Sequence, residues 1–235
     1  MYRISRNLPA ELALRLNGLK LDTLTPLSDP FRTMNDLEFN ALRQEVAALR
    51  REVSQLRDEA DIRYLQYRYG FYDEQFQWDR LLDLFADEDC SVEIGARGKY
   101  IGKPNVMRFY REVIAHNRTK LMKNEIYNHL QLQMVITVDA DGLHAKARSR
   151  ALIQGARNQV TSLLLAEGVY ENSYVKQNGI WKIQHMYWAP TFYADIPVKE
   201  TIRFAGVTES TTVAPDVPAR APDPDIGRVI VPIHF

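Results

Sequence analysis

A single carboxylate, Asp73, follows a run unusually dense in aromatic rings. Tyr67, Tyr69, Phe71 and Tyr72 precede it, and Phe76 and Trp78 come just after. Burial among rings disfavours the charged form of a carboxyl group, which is one way such a group becomes useful for proton transfer near neutrality. Tyr69 and Tyr72 add hydroxyls that can polarise a substrate hydroxyl or carbonyl. His129 is the second candidate for proton transfer, because an imidazole takes or gives a proton at cellular pH. Each residue also has a plain structural reading: an aspartate ending a helix near water, and a histidine at the exposed start of a strand.

Candidates for holding a substrate are Tyr72, Trp78, Arg150, His185 and Tyr187. His185 alternates with Trp181, Ile183 and Tyr187 on one strand, so that face is either pocket or subunit interface. Arg148 and Arg150 share a face of another strand. One of them can hold a phenolate, carboxylate or hydroxyl if that face is the pocket; otherwise both are solvated. With 12 Tyr, 9 Phe and 3 Trp, the chain suits a flat aromatic substrate held by stacking.

The five histidines, at 116, 129, 144, 185 and 234, show no HxH or HxxxH spacing, so no metal site is expected. Glycine-rich phosphate loops and a G-x-S-x-G elbow are absent too, which points away from nucleotide cofactors and serine hydrolysis. Thirty basic and thirty acidic residues balance to a net charge of zero, which argues against nucleic acid or an anionic membrane as partner. One cysteine, Cys90, rules out a disulfide within the chain and reads as core. No run approaches the roughly 20 apolar residues of a membrane span, and the first twenty residues lack the apolar core of a secretory signal. A soluble, cytoplasmic protein is the expectation.

The elements that must position these residues follow from periodicity. Residues 1–35 read as an arm, with a short helix over Glu11–Asn17 ended by Gly18. Over 36–60, Phe39, Leu42, Val46, Leu49, Val53, Leu56 and Ala60 recur at alternating spacings of three and four. This heptad stripe puts valine at a and leucine at d, the preference of a two-stranded parallel coil, so a homo-oligomer is expected; the alternative is packing on the chain's own domain. Helices are expected over Asp61–Gln75, Trp78–Ala86 and Lys103–Asn117, with short strands at Cys90–Ile94 and Tyr100–Ile101. Then the period becomes two. Leu130, Leu132, Met134, Ile136 and Val138 alternate with His129, Gln131 and their successors, and strands follow at His144–Ile153, Val160–Lys176 and Ile180–Trp188, with a loop over Gly155–Gln159. This is an α+β plan: three helices over one face of a curved antiparallel sheet. Residues 196–235 hold six of the eleven prolines and read as an extended tail whose apolar end docks, on this subunit or a neighbour.

In order and spacing, the segments Ile62–Asp73, Trp78–Phe85, Asp89–Glu93, Gly102, Asn128-His129, Val138–Gly142, Gly168-Val-Tyr170 and Asn178–Ile183 are similar to the SnoaL-like family of the nuclear-transport-factor-2-like superfamily. The resemblance runs from about Ile62 to Tyr187, within a domain expected over 61–195. It implies a cone-shaped barrel with a deep pocket, and puts Asp73 and His129 where catalytic relatives carry an acid and a histidine. Such relatives are dehydratases, isomerases, cyclases, epoxide hydrolases and lyases, alongside binders without catalysis; the fold does not choose among them. The leading reading is a cofactor-independent lyase acting on an aromatic small molecule, with Asp73, His129 and Tyr69 moving protons. Its narrower form, carried by the long N-terminal helix and the tail, resembles members that release formaldehyde from lignin-derived diaryl diols to give stilbenes. Alternatives are a dehydratase or isomerase of a polycyclic substrate, and a non-catalytic binding or assembly module.

Overall fold

The computed structural model describes residues 35–156 and 162–198, with 215–217, 220–225, 229, 231 and 233 of the C-terminal segment. The arm over 1–34 and the loop residues 157–159 lie outside the described residues. The chain divides into two compact units, 1–50 and 51–235. In the first, Asn35 and Glu38 form a reciprocal cap. The Asn35 carboxamide oxygen accepts the Glu38 N–H (2.9 Å) and the Glu38 carboxylate accepts the Asn35 N–H (3.1 Å), satisfying donors that a helix start leaves open. Helix α1 (Asp36–Glu74) begins there and runs without a break for 39 residues. The heptad stretch over 36–60 and the helix expected after it are one continuous element. Phe39, Leu42, Val46 and Leu49 are exposed.

In the second unit, the face Asp58, Ile62, Leu65, Gln66, Tyr69, Gly70, Tyr72 and Asp73 of α1 is buried, at the three-and-four spacing of one helix side. Two polar locks fasten it to the sheet. Asp58 accepts from Lys176 Nζ (2.6 Å) and Trp181 Nε1 (3.0 Å). The Gln66 side chain donates to Gln131 (2.8 Å) and accepts from Asn172 (3.1 Å) and the Tyr174 hydroxyl (2.8 Å). Helix α2 (Trp78–Leu82) is shorter than the expected Trp78–Ala86. The strands β1 (Ser91–Ile94) and β2 (Lys99–Ile101) follow, then α3 (Lys103–Arg108), which continues as a wider helical turn over Phe109–Ile114. The meander is β3 (Ile126–Val138), β4 (His144–Ala156), β5 (Ser162–Gln177) and β6 (Ile180–Pro197), the last nine residues longer than its expected end at Trp188.

The six strands form one sheet in the order β2-β1-β6-β5-β4-β3. All pairs are antiparallel except β1 with β6, which is parallel. Two interruptions decide which side chains face inward. A bulge between Leu132 and Val135, with Gln133 at φ 46°, breaks β3. Before it Tyr127, His129 and Gln131 share the inner parity; after it Met134, Ile136 and Val138 pack on the core, while Leu130 and Leu132 are exposed. The apolar row expected along β3 is thus two rows on opposite faces, since one extra residue flips every side chain beyond it. In β6 the register slips between Ser173↔His185 and Tyr174↔Ile183. Trp181 and Ile183 point inward, but beyond the slip Met186 and Trp188 are the buried pair.

On the tail, Ile233 packs against the core cluster and Asp225 pairs with Lys120, so these described points dock on the chain's own subunit. Among the described residues no helix is long and apolar enough to cross a membrane.

Small residues set how closely the strands approach. A Cβ on Gly168 would lie 2.5 Å from both the Ala189 carbonyl oxygen and Trp188 Cε2. Neither a backbone carbonyl nor a buried ring can give way by that much. Gly168→Ala is expected to cost about 1–3 kcal/mol in urea unfolding; an unchanged midpoint would show that β5 and β6 part freely here.

Candidate functional site

The end of α1 brings Asp73 to the sheet. The helix closes with the Gln77 N–H donating to the Tyr72 carbonyl (2.8 Å) and the Phe76 N–H to that of Asp73 (3.1 Å), and Phe76 sits at φ 57°. That is a Schellman closure with phenylalanine in the place glycine usually takes. A carboxylate in the last turn opposes the helix dipole, so Asp73 needs other partners. It is 1% exposed, which removes the reading of a helix end near water.

Those partners come from the start of β3. Asp73 Oδ2 lies 2.7 Å from His129 Nδ1 and accepts from the Tyr127 hydroxyl at 2.6 Å. The next residue, Glu74, accepts the His129 backbone N–H at 2.6 Å. Two consecutive carboxylates therefore hold the ring and the backbone of one histidine. Gly70 makes the approach possible, because a Cβ there would lie 3.0 Å from the His129 carbonyl oxygen and from Gln131 Cγ.

On its other nitrogen, His129 Nε2 is 3.0 Å from the Tyr170 hydroxyl. Tyr170 and Tyr69 hydroxyls are 3.2 Å apart, and Tyr110 donates to Tyr69 at 3.2 Å. With a carboxylate at Asp73, a consistent set of donors runs one way: Tyr110 to Tyr69 to Tyr170 to His129 Nε2, then Nδ1–H to Asp73. Hydroxyl and ring protons follow here from satisfying every acceptor in turn.

This chain forms one wall of a cavity of about 430 Å³, within the roughly 300–1,000 Å³ usual for small-molecule pockets. Asp73, His129, Tyr69, Tyr127, Tyr170 and Tyr110 line it, with Phe76, Ile94, Phe109, Ile153 and Trp188 as apolar walls. Arg97, Arg118 and Tyr193 add polar groups. Arg118 is committed to Glu125 through two contacts of 2.8 and 2.9 Å. Two buried polar atoms of the lining have no hydrogen-bond partner, Asp73 Oδ1 and the Trp188 indole N–H. One is an acceptor and the other a donor, and buried polar groups left open are costly unless something fills them.

Among the residues singled out from sequence, the structure gathers Asp73, His129 and Tyr69 around this cavity. It does not bring the others there. Tyr72 is buried under Arg80, whose guanidinium lies 5.7 Å from the ring centroid. Trp78 stacks on Tyr110 at 5.9 Å and backs the wall. Arg150 is on the outer sheet face, paired with Glu167, because Ala147, Ser149 and Ala151 take the inner parity of β4. His185 and Tyr187 are turned outward by the slip in β6; His185 Nδ1 meets the Ser91 hydroxyl at 3.0 Å and Tyr187 is 42% exposed. The residues missed are Tyr127, Tyr170, Tyr110 and Trp188. Tyr127 was within reach, two positions before His129 on one strand face. Among the described residues no group of three or more His, Cys, Asp or Glu could hold a metal ion.

Burial is the main force on the tyrosines. It pushes the hydroxyls of Tyr69, Tyr110 and Tyr127 well above the ordinary value of 10.0, with the Asp73 charge and neighbouring phenols adding to it. Tyr170 is raised as well, first by burial. A raised value means the folded state retains the proton, so this stability is complete below pH ~10 and is lost as pH rises above it. An absorbance titration should therefore show these four phenols ionising only together with unfolding. Reversible ionisation of all twelve tyrosines near pH 10 in the folded protein would contradict the arrangement.

The sequence matches the model of the SnoaL-like domain over residues 54–187. Among solved structures, a scytalone dehydratase-like protein of Novosphingobium aromaticivorans superposes with a TM-score of 0.54 at 16% identity, covering 67% of this chain and 99% of that one. The hexachlorocyclohexane dehydrochlorinase LinA-type3 of Novosphingobium barchaimii gives a TM-score of 0.55 at 15% identity, covering 66% and 99%. At such identities the likeness shows the fold: an open, curved six-stranded sheet with helices, of the cone-shaped nuclear-transport-factor-2-like class. No curated protein matches the chain significantly.

Proposed function

The chain belongs to the SnoaL-like domain family, and from that premise we propose that it is a cofactor-independent lyase carrying out acid–base elimination on an aromatic small molecule. The observation that carries the reading is the Asp73–His129 pair on the cavity wall, backed by hydroxyls that burial keeps protonated. The solved relatives above bear the names of eliminations, dehydration and dehydrochlorination, which supports the same class of reaction here.

In this reading His129 is the base. A substrate proton is taken by Nε2, whose bond to Tyr170 the substrate displaces. Asp73 holds Nδ1–H and stabilises the imidazolium that results, as the carboxylate does in a Ser-His-Asp triad. The leaving oxygen takes a proton from Tyr170 or Tyr69, and the proton on His129 returns through the same hydroxyls. The unpartnered Trp188 N–H and Asp73 Oδ1 bind a substrate carbonyl or ether oxygen and a substrate hydroxyl. The aromatic wall holds the rings.

The narrower form of the proposal takes a 1,2-diaryl-1,3-diol as substrate. His129 removes the proton of the terminal CH2OH, the bond to that carbon breaks and formaldehyde leaves. The electron pair forms the new C=C, and the neighbouring carbinol oxygen leaves as water with a proton from the tyrosines. The products are one stilbene, one formaldehyde and one water.

Metal-stripped protein incubated with such a diol should produce stilbene absorbance and formaldehyde in equal amounts. Water loss from aromatic alcohols without formaldehyde would retain the lyase and reject the diol; no turnover on either class would reject both. Asp73→Asn and His129→Ala are each expected to lower kcat about 10²–10⁴-fold, while Arg150→Ala, on the outer face, retains full activity. Full activity in either of the first two variants would remove the pair from the chemistry.

A further inference from the structure

We propose that α1 pairs with α1 of a second copy of this chain as a parallel, in-register, two-stranded coiled coil. The assembly is independent of the chemistry proposed above.

The first observation is exposure. Phe39, Leu42, Val46, Leu49, Val53 and Leu56 are each between 39% and 58% exposed. Six large apolar side chains at alternating spacings of three and four form a seam, not scattered surface residues.

The second observation names the occupant. With leucines 42, 49 and 56 at d and valines 46 and 53 at a, the positions flanking the seam carry strictly segregated charge. Glu45 and Glu52 stand at g; Arg43, Arg50 and Arg57 stand at e. In a parallel pair each g position meets the e position five residues further along the other helix. Glu45 then meets Arg50 of the partner subunit, Glu52 meets Arg57 of the partner subunit, and the reciprocal pairs form as well. An antiparallel pair sets g against g and e against e, so glutamate faces glutamate and arginine faces arginine. The helix is therefore complementary to itself in one orientation and one register.

The third observation is that the seam is not needed by the chain's own sheet. Asp58 occupies f, the position farthest from a and d, and it is the residue locked to Lys176 and Trp181. Ile62 and Leu65 continue that buried side. Past Ala60 the exposed row goes on at Tyr64, Tyr67 and Phe71, which are 41–47% exposed. The surface offered to the second copy thus extends along the same helix toward the turn that carries Asp73.

Light scattering on the full chain tests this with a pair of charge variants. The wild type should have twice its 27.2 kDa chain mass. The double variant E45R/E52R should fall to one chain mass, and so should R50E/R57E, each with unchanged helical circular dichroism. Mixed in equal amounts, the two should return to the two-chain mass, because every g–e pair is then opposite in charge. A wild type of one chain mass would overturn the proposal. So would two charge variants that keep the wild-type mass, or a mixture that stays at one chain mass. Orientation is read with Leu42→Cys, whose d position faces its counterpart only in the parallel register. Oxidation should give a disulfide-linked dimer, since the native thiol at Cys90 is buried; no cross-link in a protein of two-chain mass would refute the parallel register.

Discussion

Everything at the site depends on one contact, the 2.7 Å approach of the Asp73 carboxylate to His129 Nδ1. A carboxylate and an imidazole are both costly to bury alone. Brought together in a buried wall, Asp73 Oδ2 and His129 Nδ1 satisfy each other. The approach needs the end of a helix to come within contact distance of a strand backbone, which is why residue 70 has no side chain. It also needs the strand start to be held in place, which Glu74 does by taking the His129 amide. Among the described residues β3 is the edge strand of the sheet, paired on one side only, with β4.

The same contact gives the surrounding tyrosines a direction. Asp73 accepts from both His129 and Tyr127, so His129 Nε2 is left to accept from Tyr170, and Tyr170 from Tyr69. A buried network of this kind is stable only when every member is satisfied. Here the atoms left over, Asp73 Oδ1 and the Trp188 N–H, belong to side chains that line the cavity. Burial also holds the hydroxyls of Tyr69, Tyr110 and Tyr170 in their protonated form, so each remains a hydrogen-bond donor in the chain.

The sequence was most informative where a property is local. Aromatic density around Asp73, the heptad spacing and the change of period after residue 128 were all legible, and family position singled out His129. Which face a strand residue takes was not legible where the ladder is irregular. By simple alternation His185 and Tyr187 continue the row of Trp181 and Ile183, but the slip in β6 substitutes Met186 and Trp188. The bulge at Gln133 did the same to β3, putting His129 and Ile136, of opposite parity in the chain, on one side of the sheet. Arg150 was lost for a different reason. The arginines alone leave pocket and solvent both open; Ala147, Ser149 and Ala151 decide it, because small residues on alternate positions of β4 are what a close-packed inner face requires. Tyr170 lies in the segment Gly168-Val-Tyr170, yet its meeting with His129 spans 41 residues of sequence and follows only from strand register.

One helix, α1, carries both the heptad row and Asp73. Its outer side bears the self-complementary seam, and its last turn bears the acid. The state of His129 is the most direct test of the central claim, that Asp73 fixes this imidazole with its Nε2 electron pair toward the tyrosines. Two-bond ¹⁵N–¹H correlation NMR of the folded protein at neutral pH reads the tautomer. The account predicts a proton on Nδ1 and a bare Nε2, with that preference lost in Asp73→Asn. A proton on Nε2 with Nδ1 bare, or a tautomer indifferent to Asp73, would contradict it.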